Sequence, residues 1–136
     1  MIRPTFCRLA ALLFFWTIQP TATRAVEASP PRCGAAAGSS AVEQINACSA
    51  LIAFYREEFA HNRNPTPPKK VYPEAPCYRE NTPECWGRAR LAKALYARSI
   101  LLVDEQDLEG AFRDINEAVS LAPNWRPLYF HRVNVN

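Results

Sequence analysis

The residues of this chain that could carry chemistry are its cysteines and histidines: Cys7, Cys33, Cys48, Cys77, Cys85, His61 and His131. The C-x-x-C-H motif that attaches haem is absent. The spacing of these residues matches no compact pattern of metal ligands, and no nucleophile, base and acid can be assigned as a set. We therefore expect neither an enzyme nor a protein that holds a metal or cofactor.

Residues 1–25 have the pattern of a secretory signal peptide, with a positively charged start and an apolar run at Leu9–Ile18. That run of ten residues would reach about 15 Å as a helix, half of the roughly 30 Å hydrocarbon layer. Small residues allow cleavage after Ala25 or after Ala28. We predict a periplasmic or secreted protein with no stable membrane insertion after cleavage.

Loss of this segment changes the charge balance. The whole chain has 16 basic and 13 acidic residues and a net charge of +3. Three arginines leave with residues 1–25, so that 13 basic and 13 acidic residues remain. Nucleic-acid binding needs a basic surface in the mature protein. We therefore expect no nucleic-acid partner.

Four cysteines remain once Cys7 is removed, and an even number in an exported chain indicates two disulfides with three alternative pairings. We predict Cys33–Cys48 and Cys77–Cys85, because each pair lies within one local segment. A metal site that includes the two histidines is the competing interpretation, but oxidising conditions after export favour the disulfides.

The first predicted element is a helix over residues 39–61, after a flexible lead-in at residues 26–38. Ser40 and Glu43 have the spacing of a capping box. Apolar residues then recur at helical spacing, on a stripe made by Ile45, Cys48, Ile52, Tyr55 and Phe59. Residues 62–83 are rich in proline and predict an extended, disulfide-containing connection.

Helical periodicity returns in residues 84–136. A first helix ends near Asp104, and Asp107 can cap a second helix. The apolar stripe of that second helix is Leu108, Ala111, Phe112, Ile115, Ala118 and Val119. The short connection predicts an antiparallel pair, with Phe112 and Ile115 facing the first helix.

Along the predicted helix pair, large apolar residues, small residues and a proline follow one another in a defined order. These residues are Leu95, Tyr96, Ser99, Leu102, Ala111, Ile115, Ala118 and Pro123. The order resembles one tetratricopeptide repeat, with Ser99 in place of a glycine and Ile115 in place of an aromatic residue. Tyr129-Phe130-His131-Arg132 lies one period of this repeat family beyond Leu95-Tyr96-Ala97-Arg98 and looks like the start of another copy.

Residues 41–52 resemble the helix that precedes the repeats in exported bacterial tetratricopeptide proteins. The fold class that follows is all-α: a helical hairpin of the tetratricopeptide type, preceded by one amphipathic helix and a proline-rich insertion. The resemblance implies that Lys93, Tyr96 and Ile100 face a groove that binds a peptide or partner protein.

Two other interpretations stay open. In the first, the chain is a small disulfide-stapled domain that helps another protein to assemble. In the second, it is a shortened member of a longer repeat family. Because repeats bury their faces against neighbours, a single complete copy also favours self-association.

Export predicts that the mature protein begins directly after Ala25 or directly after Ala28. Intact-mass analysis of the secreted protein measures this directly. A mature chain that retains Met1 would contradict the prediction.

Overall fold

The computed structural model describes Cys33 and residues 38–135, and the elements it contains there are all helices. They are α1 (Ala41–Ala60), α2 (Pro83–Asp104), α3 (Leu108–Leu121) and α4 (Arg126–Val135). The predicted signal peptide, both of its alternative cleavage sites and most of the lead-in at 26–38 lie outside the described residues. The all-α fold class is confirmed.

The capping box that the sequence predicts begins α1. The Ser40 hydroxyl accepts a hydrogen bond from the Glu43 amide, and the Glu43 carboxylate accepts one from the Ser40 amide. The helix buries Cys48, Leu51 and Ile52, whereas Phe59 at the far end of the predicted stripe is exposed. The buried face is therefore shorter than the apolar stripe.

The connection between α1 and α2 is only partly extended. Residues 63–68 form no regular structure, but residues 73–80 form successive turns, with the amide of Ala75 bonded to the carbonyl of Tyr72. Helix α2 begins at Pro83, the last residue of the predicted connection. Thr82 caps it by accepting a hydrogen bond from the Cys85 amide, and proline is well suited to the first helical position.

Helix α2 lies at the centre of the fold, between α1 on one side and α3 on the other, while α4 packs against α3. One buried apolar cluster joins the four helices, and it consists of Leu51, Ile52, Leu91, Ala92, Ala94, Leu95, Ile115, Ala118, Ala122 and Leu128. Every helix contributes at least one large side chain to it. The helices are therefore held by a single core.

A three-residue connection reverses the chain between α2 and α3. Gln106 has a positive φ of 64°, and Asp107 caps α3 by accepting a hydrogen bond from the Gly110 amide. Ser99, Ala111 and Ala118 are fully buried in the hairpin. Small side chains at these positions let the two helix backbones approach closely.

A charged network lies beside this apolar core. The Arg98 guanidinium donates two hydrogen bonds to the Asp114 carboxylate, at 2.6 and 2.7 Å, and a third to the Ser49 hydroxyl at 3.0 Å. Asp114 is buried. Ser49 in turn donates to the carbonyl of Ile45. One side chain of α2 thus bonds to both α1 and α3.

The described residues contain two disulfides, with the sequential pairing that we expect from the sequence. Cys33–Cys48 attaches the segment before α1 to that helix, and Cys33 also packs against the main core. Cys77–Cys85 attaches the connection to the first turn of α2, where the pair packs against Ala89. Each bond restrains a segment that lies outside the helices.

The predicted position of Phe112 on the inner stripe of α3 is wrong. Phe112 is 36% exposed, and Leu108 on the same edge is 53% exposed. The apolar stripe of α3 is wider than the strip that α2 covers. Ala111, Ile115 and Ala118 are fully buried, whereas Phe112 faces a groove between α3 and α4.

Burial therefore predicts that Ile115→Ala destabilises the protein more than Phe112→Ala does. Loss of a fully buried isoleucine side chain costs about 2–5 kcal/mol, whereas the half-exposed phenylalanine should cost about 1–2 kcal/mol. Denaturant unfolding of both variants, with Lys69→Ala as an exposed control, measures the difference. Equal losses for Ile115→Ala and Phe112→Ala would contradict this assignment of the core.

Candidate partner-binding site

The predicted binding residues of α2 lie on one face of that helix, and two of them meet residues that follow α3. Tyr96 is partly buried and Lys93 is exposed beside it. Ile100, one turn further on, is 38% exposed and does not line the groove that Tyr96 lines. Lys93 does not line that groove either, but its contact with Trp125 places it beside the Tyr96 cluster. Tyr96 therefore lies in the groove, Lys93 lies next to it, and Ile100 lies outside both.

Tyr96 is the centre of an aromatic cluster. Its ring makes edge-to-face contacts with Trp125 at 5.4 Å and with His131 at 5.3 Å between centroids. The ammonium group of Lys93 lies 5.8 Å from the centroid of Trp125, within the range of a cation–π interaction. These contacts attach the α3–α4 turn and α4 to α2.

An open groove of about 300 Å³ lies in front of the cluster, between α2 and α4. Its lining residues are Tyr96, Arg126, Pro127, Phe130, His131 and Asn134. Phe130 is 73% exposed, so that a large aromatic ring faces solvent at the edge of the groove. An aromatic surface with a polar rim is typical of sites that bind protein segments.

Arg126 places a positive charge in the groove, and Lys93 lies beside the aromatic cluster next to it. Helix α4 contains no acidic residue, and Lys93 and Arg126 form no ion pair with any residue that the structure describes. The described ion pairs lie elsewhere, between α3 and either α1 or α2, or near the connection. Carboxylates of a bound segment would therefore meet unneutralised cations here.

His131 is the titratable group of the groove with a shifted pKa. Burial lowers its pKa from the ordinary value of 6.5, and a hydrogen bond with the backbone of Ser99 opposes that shift. Its Nε2 atom is buried and has no hydrogen-bond partner among the described residues. The neutral ring therefore fits this position better than the imidazolium.

Sequence reasoning did not include Trp125, Phe130 and Arg126 in the binding surface. His131 entered that reasoning through the competing metal site and the resemblance to a second repeat. The signal that pointed to these residues was the one-period offset between α2 and α4, which makes Phe130 the counterpart of Tyr96. A groove between two equivalent helices needs residues from both, and the prediction included only those of α2.

Comparisons of the chain with protein-family models, curated proteins and solved structures find no match. Within residues 38–135 and Cys33, no three His, Cys, Asp or Glu side chains come together as a metal site would require. The helices of this part of the chain include none with the length and apolar character needed to cross a membrane. Function is therefore inferred from the groove itself.

The lowered pKa of His131 predicts a stability that depends on pH. The neutral form is favoured in the folded state, so its contribution is complete above pH 6.5 and declines as the pH falls through the folded pKa. Thermal melts from about pH 7.5 to about pH 5.5 should show this loss. The variant His131→Gln should no longer lose thermal stability as the pH falls. The control variant His61→Gln, at an exposed position, should lose it as the wild type does. An unchanged pH dependence in His131→Gln would contradict the assignment.

Proposed function

We propose that this protein is an exported, non-catalytic interaction module that binds a peptide or a segment of a partner protein. The site is the α2–α4 groove. The observation that carries the proposal is an aromatic cluster beside a groove that the exposed ring of Phe130 also lines. Two cations without a described ion pair lie there as well, Arg126 in the groove and Lys93 next to it. Such aromatic residues supply much of the binding energy in protein interfaces.

A tetratricopeptide-type hairpin is part of the proposal. Support comes from the burial of Leu95, Ser99, Ala111, Ile115 and Ala118, the positions at which that repeat requires apolar or small residues. Further support comes from α4, a helix that begins where a second repeat would begin. In this interpretation α2 and α4 are equivalent first helices, and the groove between them is the concave surface.

Export to the periplasm or to the medium is also proposed. Its support is the pair of disulfides, because such bonds persist in oxidising compartments and are rare in the cytosol. Cys33–Cys48 joins the segment before α1 to that helix, and Cys77–Cys85 joins the connection to the first turn of α2. Such cross-links would stabilise the protein in the oxidising compartment that it reaches after export.

The alternative is a disulfide-stapled domain that helps another protein to assemble without binding a peptide in the groove. The exposed apolar residues at the edge of α3 and α4, including Phe112 and Val133, favour some role in assembly. Occupancy of the groove separates the two functions, because an assembly helper would leave Phe130 and Lys93 free of contacts.

The test is selection of binders from a random peptide library displayed on phage, with the full oxidised chain as target. We expect the selected peptides to bind about tenfold more weakly to Phe130→Ala and to Lys93→Gln, which corresponds to about 1.4 kcal/mol. Tyr72→Ala is the matched control, because Tyr72 is an exposed aromatic residue in the connection. Phe130 in the groove and Lys93 beside it are both exposed, so these variants should fold normally.

A selection in which the peptides bind equally well to the wild type and to both groove variants would contradict the proposed site. So would a selection that yields no binder. Circular dichroism of each variant checks that the helical fold is intact.

A further inference from the structure

Helices α2 and α4 present equivalent faces, but only one of them is covered. The one-period offset pairs Leu95 with Tyr129 and Ser99 with Val133. Leu95 and Ser99 are fully buried in the hairpin, whereas Tyr129 is 43% and Val133 77% exposed. The face of α4 that corresponds to the covered face of α2 is therefore open.

This open face lines a second groove, which is distinct from the α2–α4 groove. Phe112, Tyr129, Arg132 and Val133 surround a space of about 310 Å³ between α3 and α4. It corresponds to the surface that α1 and α2 together present to α3, where Ser49 and Arg98 lie beside α3 residues. Helix α3 packs on the surface formed by α1 and α2. No described residue packs on the equivalent surface formed by α3 and α4.

Arg132 shows which charge the missing neighbour would carry. It is the counterpart of Arg98, whose guanidinium makes a bidentate ion pair with Asp114 of α3. Arg132 has no ion pair with any described residue, and α4 contains no carboxylate that could supply one. A helix that packed on this face as α3 packs on α2 would have its residue equivalent to Asp114 opposite Arg132.

We propose that the α3–α4 face docks an amphipathic helix of a partner protein, and that this helix carries an aspartate or glutamate that pairs with Arg132. Its apolar stripe covers Phe112, Tyr129 and Val133. Val133 is larger than its counterpart Ser99, so the docking helix needs small residues at the crossing, as Ala111 and Ala118 provide in α3. This surface is separate from the proposed peptide groove.

Charge argues against a second copy of this chain as the occupant. A symmetric dimer places the same surface patch on both sides of the interface. Pairing of two α4 helices would thus bring Arg132 of one copy towards Arg132 of the other, with no acidic residue on either helix. A helix of different sequence removes that repulsion.

The test uses a helical peptide library built on the α3 sequence, residues 107–122. The positions of Ala111, Ile115 and Ala118 are randomised, and the position of Asp114 is varied among Asp, Glu, Asn and Lys. The target is the full oxidised chain. We expect the enriched peptides to retain Asp or Glu at that position.

Charge reversal then identifies the contact. Arg132→Glu should weaken the acidic peptides by at least about tenfold, and peptides with Lys at the varied position should bind this variant better than they bind the wild type. Arg126→Glu is the matched control, because it makes the same charge change on the same helix outside this groove. Phe130→Ala, in the other groove, should also leave binding unchanged.

Four results would overturn the proposal: no enriched peptide, no preference for an acidic residue, binding that survives Arg132→Glu, or loss of binding in Phe130→Ala. Sedimentation of the chain alone adds a further check. A wild-type dimer that dissociates in Arg132→Glu would place a second copy on this face and overturn the assignment to a different helix. Of these results, only a loss of binding in Phe130→Ala concerns the α2–α4 groove. The proposal for the α3–α4 face can therefore be wrong while the proposal for the α2–α4 groove is right, and the reverse.

Discussion

The arrangement of the first three helices depends on one guanidinium group. Arg98 reaches Asp114 on α3 with two hydrogen bonds and Ser49 on α1 with a third. The hydrogen bonds to Asp114 raise the pKa of Arg98, and a guanidinium is charged at every physiological pH in any case. A planar guanidinium with a bidentate carboxylate tolerates little rotation or sliding of the helices. The apolar core supplies much of the stability, and this pair fixes the register.

The two candidate binding surfaces follow from that register. Because α2 is held between α1 and α3, its outer face carries Lys93 and Tyr96, and the α3–α4 turn brings Trp125 against them. Helix α4 then lies on α3 with Leu128 buried and Phe130 exposed. One side of α4 forms the aromatic groove with α2, and another side forms the open face with α3. The described part of the chain thus carries two different grooves, one on each side of α4.

Sequence reasoning succeeded where the determinants are local. The capping box at Ser40, the cap at Asp107 and the two short-range cysteine pairs each involve residues that are close in the chain. It failed where tertiary packing decides the outcome. Periodicity shows that Phe112 belongs to an apolar stripe. How much of that stripe α2 covers depends on the angle and position at which the two helices cross. The contact of Arg98 with Asp114 also depends on tertiary packing. The sequence contains many other acidic residues that could have paired with Arg98.

A double-mutant cycle on Arg98→Met and Asp114→Leu tests the central physical claim most directly. Unfolding in denaturant gives the free energy of the wild type, the two single variants and the double variant. We expect each single variant to be strongly destabilised, because it leaves one charged group without its partner. The double variant should recover part of the loss, with a coupling energy of about 1–3 kcal/mol. Additive effects within about 0.5 kcal/mol would show that Arg98 and Asp114 do not hold the helices together.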